Sequence, residues 1–329
     1  HAHRVGCCCD APSTASDHRR WPRAGAAQSV LAHVRRRPPA ERVVVFDSTG
    51  VDRGTYLSRT RPCARCCGAA TSRSGSPVRQ PPGGFGQARG VVYFPSCLTR
   101  IVGELPGESL VPPARAMHEV LRWAGFAVRV PEGIEGLCCG MAFASKGFSE
   151  AARAAAERTA EALWRASDEG RLAVVTDASP CAGTLGDSVA ASLRERDREV
   201  AMLDFPAFWA REVLPGLGDV PRRAGTAILH PTCTLLKEGG LPDLLSVARA
   251  HAERVEVPRF AECCGFAGDR GFLVPELTRS ATKAEAAEIQ RLLEGDPGAG
   301  LYSTCRTCEI GLGRAVGRPV HSLLHLVHG

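Results

Sequence analysis

Apolar residues follow two different spacings between residues 90 and 329, and the two spacings alternate along the chain. Short apolar runs rich in β-branched residues predict strands in "GVVYFPSC", "FAVRV" and "RLAVVTDASPC". Longer stretches with apolar positions three to four residues apart predict helices in "PARAMHEVLRWAG" and "SEAARAAAERTAEALWRASDEG". Pro113 suits the first turn of the former helix, and Gly125 and Gly170 suit the ends of the two helices.

The same order of elements recurs in the second half of this region. "GTAILHPTC" and "RVEVP" predict strands, and "LPDLLSVARAHAE" and "PELTRSATKAEAAEIQRLLEG" predict helices, before "GLYSTCRTC" closes the series. Pro275 and Gly295 suit the start and the end of the last helix. Strands that alternate with helices favour a mostly parallel sheet covered by helices, so each half is predicted to be a small Rossmann-like α/β unit.

The cysteine motifs show most clearly that the two halves are related. "LCCGMAFASKGF" in the first half has nearly the same layout as "ECCGFAGDRGF" in the second. Near-constant offsets between landmarks indicate an internal duplication, which predicts tandem cysteine-rich units at residues 90–215 and 216–329. The matching pairs are Cys97 and Cys233 (136 residues apart), Cys138 and Cys263 (125), and Cys181 and Cys308 (127).

The cysteines follow the predicted strands, where each strand ends and a turn begins. Because the carboxyl ends of parallel strands gather at one edge of a sheet, we expect the cysteines of each unit to converge there. Thiolates are soft ligands that select iron–sulfur clusters or zinc. Gly140 and Gly265 are expected to allow turns closed to other residues and a close approach to a bulky cluster. The candidate ligands are Cys97, Cys138, Cys139 and Cys181 in the first unit, and Cys233, Cys263, Cys264, Cys305 and Cys308 in the second.

Zinc is the main alternative to an iron–sulfur cluster. Four thiolates complete a tetrahedral zinc site, which the first unit can supply, whereas the second unit offers one cysteine more than zinc takes. Buried cysteines without metal are another alternative, since free cysteine is among the most buried residue types, but two vicinal pairs at matching positions argue against it. A disulfide framework suits short secreted domains better than a chain of 329 residues with 15 cysteines.

Three other residues near the cysteine motifs have more than one interpretation. Lys146 and Arg270 follow the Cys-Cys-Gly motifs, where they either offset the charge of clustered thiolates, or meet an anionic partner, or are solvated surface charges. His230 takes the position that Phe94 has in the other unit, "HPTC" against "FPSC". A histidine at a strand end is more often a hydrogen-bonded structural residue, so His230 is left out of the predicted metal ligands.

Residues 1–89 differ from the rest in composition. Residues 1–90 contain 15 arginines and 5 acidic residues, whereas the remaining 239 contain 26 basic and 30 acidic residues. The net charge of +6 is therefore the sum of a basic N-terminal segment and a mildly acidic remainder. A basic nucleic-acid-binding surface on the folded part is therefore not expected. The segment is rich in Arg, Pro and Gly and is interpreted as a disordered or remnant segment. Its cysteines are Cys7, Cys8, Cys9, Cys63, Cys66 and Cys67.

The chain shows neither a secretory leader nor an apolar run near the roughly 20 residues that a membrane span requires. We therefore expect a cytoplasmic protein whose membrane association is at most peripheral, at the inner face. The chain begins at His1 and its first methionine is Met117, which predicts a fragment or a processed form.

A family resemblance rests on six stretches that occur in order: "VVYFPSCLTRI", "CCGMAFASKGF", "VVTDASPC", "LHPTCTLLK", "CCGFAGDRGFLVPELT" and "RTCEIGL". They resemble the C-terminal part of FAD- and iron–sulfur-containing D-lactate dehydrogenases of the cytochrome-linked type. The duplicated pattern is also similar to the cysteine-rich CCG domain found in heterodisulfide reductase and in the iron–sulfur subunit of glycolate oxidase. The resemblance implies [4Fe–4S] clusters on the nine cysteines, an FAD on a missing domain or partner subunit, and a quinone or cytochrome as electron acceptor.

The chain departs from this family in two places. Ala178 stands where the full C-x-x-C of the first unit would place a cysteine, and residues 1–89 show neither a flavin domain nor ferredoxin-like cysteine runs. The resemblance implies an iron–sulfur electron-transfer domain of a flavin-linked 2-hydroxy-acid (D-lactate or glycolate) dehydrogenase. The alternative is a thiol–disulfide reductase with a cluster-based site, as in heterodisulfide reductase. A zinc-stabilised interaction module is the non-enzymatic hypothesis.

Overall fold

The computed structural model of the chain describes residues 89–102, 110–218, 220, 222 and 224–329, all of them within one compact unit. The interpretation of residues 1–89 as a disordered or remnant segment, and the cysteines of that segment, therefore lie outside the described residues except at Arg89. Among the described residues, no helix is both long enough and apolar enough to cross a bilayer.

The first half of the described chain forms a sheet of parallel strands with helices between them. The elements are β1 (Arg89–Phe94), α1 (Cys97–Val102), α2 (Pro113–Trp123), β2 (Phe126–Arg129), α3 (Met141–Ala144), α4 (Ser149–Ala166), β3 (Val174–Thr176), α5 (Ser179–Thr184), α6 (Ala190–Arg194), β4 (Met202–Asp204), α7 (Phe205–Phe208) and α8 (Leu214–Leu217). The strands lie in the order β2-β1-β3-β4. Helix α5 continues through a π-helical turn into α6, and α7 continues in the same way into α8.

The second half repeats this arrangement with a second parallel sheet. The elements are β5 (Ala224–His230), α9 (Cys233–Lys237), α10 (Leu241–His251), β6 (Ala252–Glu256), α11 (Arg270–Leu273), α12 (Pro275–Gly295), β7 (Gly300–Ser303), α13 (Arg306–Val316), β8 (His321–Ser322) and α14 (Leu323–His328). The strands lie in the order β6-β5-β7-β8, so in both sheets the first strand lies between the second and the third. The second strand is therefore added on one side of the first strand, and the third strand on its other side. Such a change of side leaves a crevice at the carboxyl ends of the strands.

The two sheets share a hydrophobic core. Successive residues of a strand point to opposite faces of its sheet. Val91 of β1 and Leu229 of β5 point into one common cluster of buried residues. The alternate residues face outward: Phe94 packs against α4, and Ile228 packs against α12. Each fully buried side chain of this size contributes about 1.5–3 kcal/mol through removal from water, so the two halves stabilise each other.

The predicted fold class, two tandem parallel α/β units, is confirmed. The structure adds a fourth strand to each sheet, β4 and β8, which the apolar pattern did not reveal. These strands have three and two residues, fewer than the four to eight over which alternation becomes visible. The strand expected in "RVEVP" begins two residues earlier, at Ala252.

Candidate metal centres

The four candidate ligands of the first unit come together at the carboxyl edge of their sheet. Cys97 is the first residue of α1, the vicinal pair lies in the loop that follows β2, and Cys181 lies in the first turn of α5. Cys97 hydrogen-bonds with Cys138, Cys138 contacts Cys139, and the sulfur atoms of Cys139 and Cys181 are 3.8 Å apart. The structure therefore places a continuous chain of thiols where the sequence predicts a site.

The thiols of the first unit have sharply different proton affinities. Hydrogen bonds from Cys139 and Cys97 lower the pKa of Cys138 to about 2. The same contacts, together with burial, raise the pKa values of Cys97 and Cys139 above the ordinary thiol value. Cys138 is therefore the most readily ionised of these three thiols, and a cation among the sulfur atoms would favour ionisation of its neighbours.

Arg100 fixes the loop that carries the vicinal pair of the first unit. Its guanidinium donates to the carbonyl oxygen of Ile134 at 2.5 Å and to that of Leu137 at 2.6 Å. These hydrogen bonds therefore fix the backbone of the loop immediately before Cys138. The positive charge also lies close enough to the thiols to lower the pKa values of Cys97 and Cys138, although other contacts have larger effects.

A glycine turn follows each vicinal cysteine pair. Gly140 and Gly265 have φ angles of 94° and 67°, a conformation that other residues adopt only with strain, as the sequence predicts. Each glycine N–H points back at the first cysteine of its pair, with N···Sγ distances of 3.4 Å to Cys138 and 3.4 Å to Cys263. The turn therefore directs a backbone donor at a sulfur atom in both units.

The five candidate ligands of the second unit also converge, in two layers. Cys233, at the start of α9, contacts Cys263, and both are half-buried. Deeper in the unit, the sulfur atoms of Cys264 and Cys308 are 2.9 Å apart, and Cys305 also contacts Cys308. We call Cys264, Cys305 and Cys308 the inner thiols, and Cys233 and Cys263 the outer pair.

Apolar side chains surround the inner thiols. Phe266, Phe272 and Ile310 pack against them, with the two phenylalanine rings edge to face at 4.6 Å. Hydrogen bonds from Cys308 lower the pKa of Cys264 to about 5 and the pKa of Cys305 to about 7, while the pKa of Cys308 itself is raised by its contacts with Cys264 and Cys305. Thiolates in a poorly hydrated environment of this kind favour a bound cation.

His230 is the residue near the cysteines that the sequence analysis left out of the ligand set. Its Nδ1 lies 2.7 Å from Oε1 of Glu285 on α12, and both side chains are almost fully buried. Within the described residues its Nε2 makes no hydrogen bond of ordinary geometry, although the thiol of Cys264 lies within interaction distance of the ring. The ligand atoms of His230, Cys264 and Cys308 all lie within 4.8 Å of one another. Burial opposes a charged ring, but Cys264 and Glu285 outweigh it and raise the pKa of His230 to about 10.

A signal for this histidine was present in the sequence. The buried stripe of α12 contains Glu285 among residues such as Thr278, Thr282 and Ile289. A carboxylate on a buried helical stripe needs a partner, because unpaired buried charge is strongly unfavourable. The outward-facing residue at the end of β5 is the natural candidate.

The corresponding positions in the first unit are apolar. Phe94 takes the strand position of His230 and packs in one cluster with Cys139, Ala178 and Cys181. Ala178 takes the position of Cys305, since each is the residue immediately before the helix that carries the last cysteine. The first unit therefore offers four thiols, whereas the second offers five thiols and one imidazole nitrogen.

The two cysteine groups are joined through hydrogen bonds between the ends of β3 and β7. The Ser179 N–H donates to the carbonyl oxygen of Thr304 at 3.1 Å, and the Ser179 hydroxyl bonds to the Thr304 hydroxyl at 2.8 Å. Thr304 immediately precedes Cys305, and Ser179 lies two residues before Cys181. Lys146, one of the two basic residues after the Cys-Cys-Gly motifs, forms an ion pair with Asp269 of the other unit. It therefore links the two cysteine-bearing loops.

The donor chemistry of both groups fits a thiophilic metal. Within the described part of the chain, nine free thiols and a buried imidazole nitrogen beside two of them match iron–sulfur or zinc ligation. A family model described as "CCG: Cysteine-rich domain" matches residues 91–186 and again residues 227–313, which covers both groups. A search of curated proteins found no match to the chain.

Proposed function

The chain belongs to the CCG cysteine-rich domain family, whose members are iron–sulfur and redox-type domains, and we propose that it is the electron-relay part of a flavin-linked 2-hydroxy-acid dehydrogenase. The nine cysteines at the strand ends are the proposed ligands of a cluster in each unit. A bound iron–sulfur cluster supplies one-electron chemistry at a potential that its protein ligands tune. The broad family prediction is confirmed, and the D-lactate or glycolate assignment is the finer proposal.

One observation supports a relay in particular: hydrogen bonds join the backbone segments that lead to the two cysteine groups. The Ser179–Thr304 contacts place the peptide that leads to Cys181 against the peptide that leads to Cys305. Oxidation of a 2-hydroxy acid to a 2-oxo acid releases two electrons and two protons. A chain with two adjacent one-electron sites can accept these electrons singly from a reduced flavin and deliver them singly to a quinone or a cytochrome.

The residues of the chain have separate roles in this proposal. The buried thiols hold the metal where water is excluded, and the Gly140 and Gly265 N–H groups donate to sulfur and so stabilise its negative charge. Arg100 fixes one cysteine loop, and the Lys146–Asp269 pair joins the loops of the two units. The flavin, the hydroxy acid and the final acceptor bind to a missing domain or to partner subunits.

Metal analysis and acceptor kinetics test this function. The protein is reconstituted anaerobically with iron and sulfide, reduced with dithionite, and mixed separately with a soluble quinone and with a small asymmetric disulfide. We expect acid-labile sulfide in amounts equal to iron, and fast reoxidation by the quinone only. Zinc without sulfide, or no bound metal, would contradict the relay and support the interaction module or a metal-free fold.

The second unit favours one alternative function, a cluster-based thiol–disulfide reductase. Its outer pair, Cys233 and Cys263, is half-buried rather than enclosed, so a substrate sulfur can approach it. Two electrons and two protons convert one disulfide into two thiols. Fast reoxidation by the disulfide, which is lost in Cys233→Ser, would support the reductase over the relay.

A further inference from the structure

We propose that His230 is a ligand of the metal centre in the second unit and binds through Nε2 beside Cys264 and Cys308. The proposal rests on the proposed function for the identity of the metal, which would then be an iron of a cluster. The position of the ligand is argued from the structure of the chain itself.

The geometry of His230 is that of a metal ligand. One ring nitrogen of His230, Sγ of Cys264 and Sγ of Cys308 all lie within 4.8 Å of one another. The residue is 2% exposed, and in the described part of the chain its Nε2 makes no hydrogen bond of ordinary geometry, although the thiol of Cys264 lies within interaction distance of the ring. A buried polar atom without a well-formed hydrogen bond is rare in native proteins because its desolvation is not compensated, and a metal ion between the ring and this sulfur would compensate it.

Glu285 completes the arrangement on the other side of the ring. Histidines that bind metals almost always donate their second N–H to a carboxylate or carbonyl oxygen, which fixes the tautomer and orients the ring. The carboxylate of Glu285 accepts from Nδ1 at 2.7 Å, so Nε2 is the nitrogen left for the metal. We infer that Glu285 is a positioning residue that acts through His230.

The first unit shows that the fold does not need this pair. Phe94 takes the equivalent strand position, and the buried residues of α4 are alanines, a threonine and a leucine, with no carboxylate among them. The histidine–glutamate pair therefore belongs to the chemistry of the second unit rather than to its packing.

Isotope labelling and pulsed electron paramagnetic resonance test the ligand. The full chain is labelled with ¹⁵N-histidine, reconstituted with iron and sulfide, and reduced with dithionite to the paramagnetic state. It is compared with His230→Phe/Glu285→Leu, which copies the apolar arrangement of the first unit and avoids an unpaired buried carboxylate. We expect a histidine-nitrogen coupling of directly bound strength that the double variant loses while it stays folded. His118→Gln, on α2, removes a partly buried histidine from outside the cysteine group and should keep the coupling. A coupling that persists in the double variant, or its absence from an iron-loaded wild type, would overturn the proposal.

Cobalt separates this proposal from the proposed function. The metal-free chain is titrated with Co²⁺, whose absorption bands distinguish mixed nitrogen–sulfur ligation from sulfur ligation alone. If the chain binds no iron but shows the mixed spectrum, and the double variant loses it, the relay is wrong and the ligand assignment stands. If the chain binds iron but shows neither the mixed spectrum nor the nitrogen coupling, the ligand assignment is wrong and the relay stands.

A matched pair of carboxylate variants tests the positioning residue. Glu285→Gln should weaken Co²⁺ binding in the second unit about 10- to 100-fold, the usual effect of changing the partner of a metal-bound histidine. Glu119→Gln changes a carboxylate that also bonds a histidine, His328 at 2.7 Å, but outside the cysteine groups, and should leave the affinity unchanged. Equal affinities for the two variants would count against the proposal.

Discussion

Burial differs among the individual thiols of the second unit, and this difference determines what each substitution should do. Cys264 is 6% exposed and touches Cys308, whereas Cys263 is half-buried and touches Cys233. A serine hydroxyl replaces a thiolate poorly as a ligand of iron. We therefore expect Cys264→Ser to lose the cluster of the second unit, and Cys263→Ser to lose it as well or to retain a weakened form.

Iron and sulfide analysis of the purified variants checks this prediction. Ser246→Ala, which changes an exposed serine on α10, is the control and should keep full iron content. Unchanged iron in both cysteine variants would show that neither residue is a ligand.

Arg100 offers a second test at the scale of single residues. Its two charge-assisted hydrogen bonds, to Ile134 and Leu137, are short and partly buried. Arg100→Gln should lower the free energy of unfolding by about 1.5–3 kcal/mol and weaken metal binding in the first unit, since the cysteine loop loses its anchor. Arg153→Gln, which breaks an exposed ion pair with Glu157, should change the free energy of unfolding by less than about 1 kcal/mol. Equal effects in urea denaturation would contradict the role given to Arg100.

At the scale of elements, the glycine turns connect the strand ends to the helices that cover the sites. A Cβ on Gly265 would lie 2.7 Å from Cβ of Ala281 and 2.8 Å from the carbonyl oxygen of Leu277, both on α12. At Gly140 the nearest atom would be the carbonyl oxygen of Ala152, at 3.0 Å. Because both glycines also have positive φ angles, alanine at either position should destabilise by more than about 1 kcal/mol, most strongly at Gly265.

Gly186→Ala is the matched control for these turns. Gly186 lies in the π-helical turn between α5 and α6, and a Cβ there would meet no atom within 4 Å. This substitution should be neutral or should stabilise the protein by about 0.5–1 kcal/mol, because alanine favours helix more than glycine does. Thermal unfolding of the three variants gives the comparison. Destabilisation by Gly186→Ala as large as that by Gly265→Ala would contradict the steric argument.

The sequence predicted long elements better than short ones. Helix α12 begins at Pro275 and ends at Gly295 as predicted, because proline at the first turn and glycine at the end are local signals. The strands β4 and β8 have no such signal: each is held by hydrogen bonds to a neighbouring strand that is distant in sequence, Val174 with Met202 and Tyr302 with His321. Pairing of this kind depends on the completed sheet.

The same distinction applies to the site. The convergence of the nine thiols could be predicted, because parallel strands bring their carboxyl ends to one edge. The ion pair between Lys146 and Asp269 could not, since it depends on how the two units pack together. His230 is absent from the predicted ligands because a histidine at a strand end is more often a hydrogen-bonded structural residue, and its contact with Glu285, 55 residues away in sequence, depends on the completed fold.

At the scale of the whole molecule, the charge imbalance of residues 1–89 leads to a prediction about the folded part. The segment has little core-forming sequence, so we predict that the folded part does not depend on it. A chain that begins at Arg89, the first residue of β1, should therefore express as a folded protein with the iron content and melting temperature of the full chain. Aggregation of the shortened chain beside a soluble full chain would refute this.

The different donor sets of the two units lead to another prediction. Cys305→Ala leaves four thiols in the second unit, as in the first, so its cluster should weaken or change its spectrum without loss of the fold. Cys181→Ala leaves three thiols in the first unit and should lose that cluster. Iron content and the electron paramagnetic resonance spectrum distinguish the two variants. Full iron in Cys181→Ala beside complete loss in Cys305→Ala would mean that the first unit carries no cluster.

The central claim, that this chain is a two-site iron–sulfur relay, is tested most directly by the iron and acid-labile sulfide bound per wild-type chain after anaerobic reconstitution. With a [4Fe–4S] cluster in each unit we predict about eight irons and about eight sulfides per chain, with two reducible paramagnetic signals. Zinc bound without sulfide, or one cluster per chain with a single signal, would contradict the account.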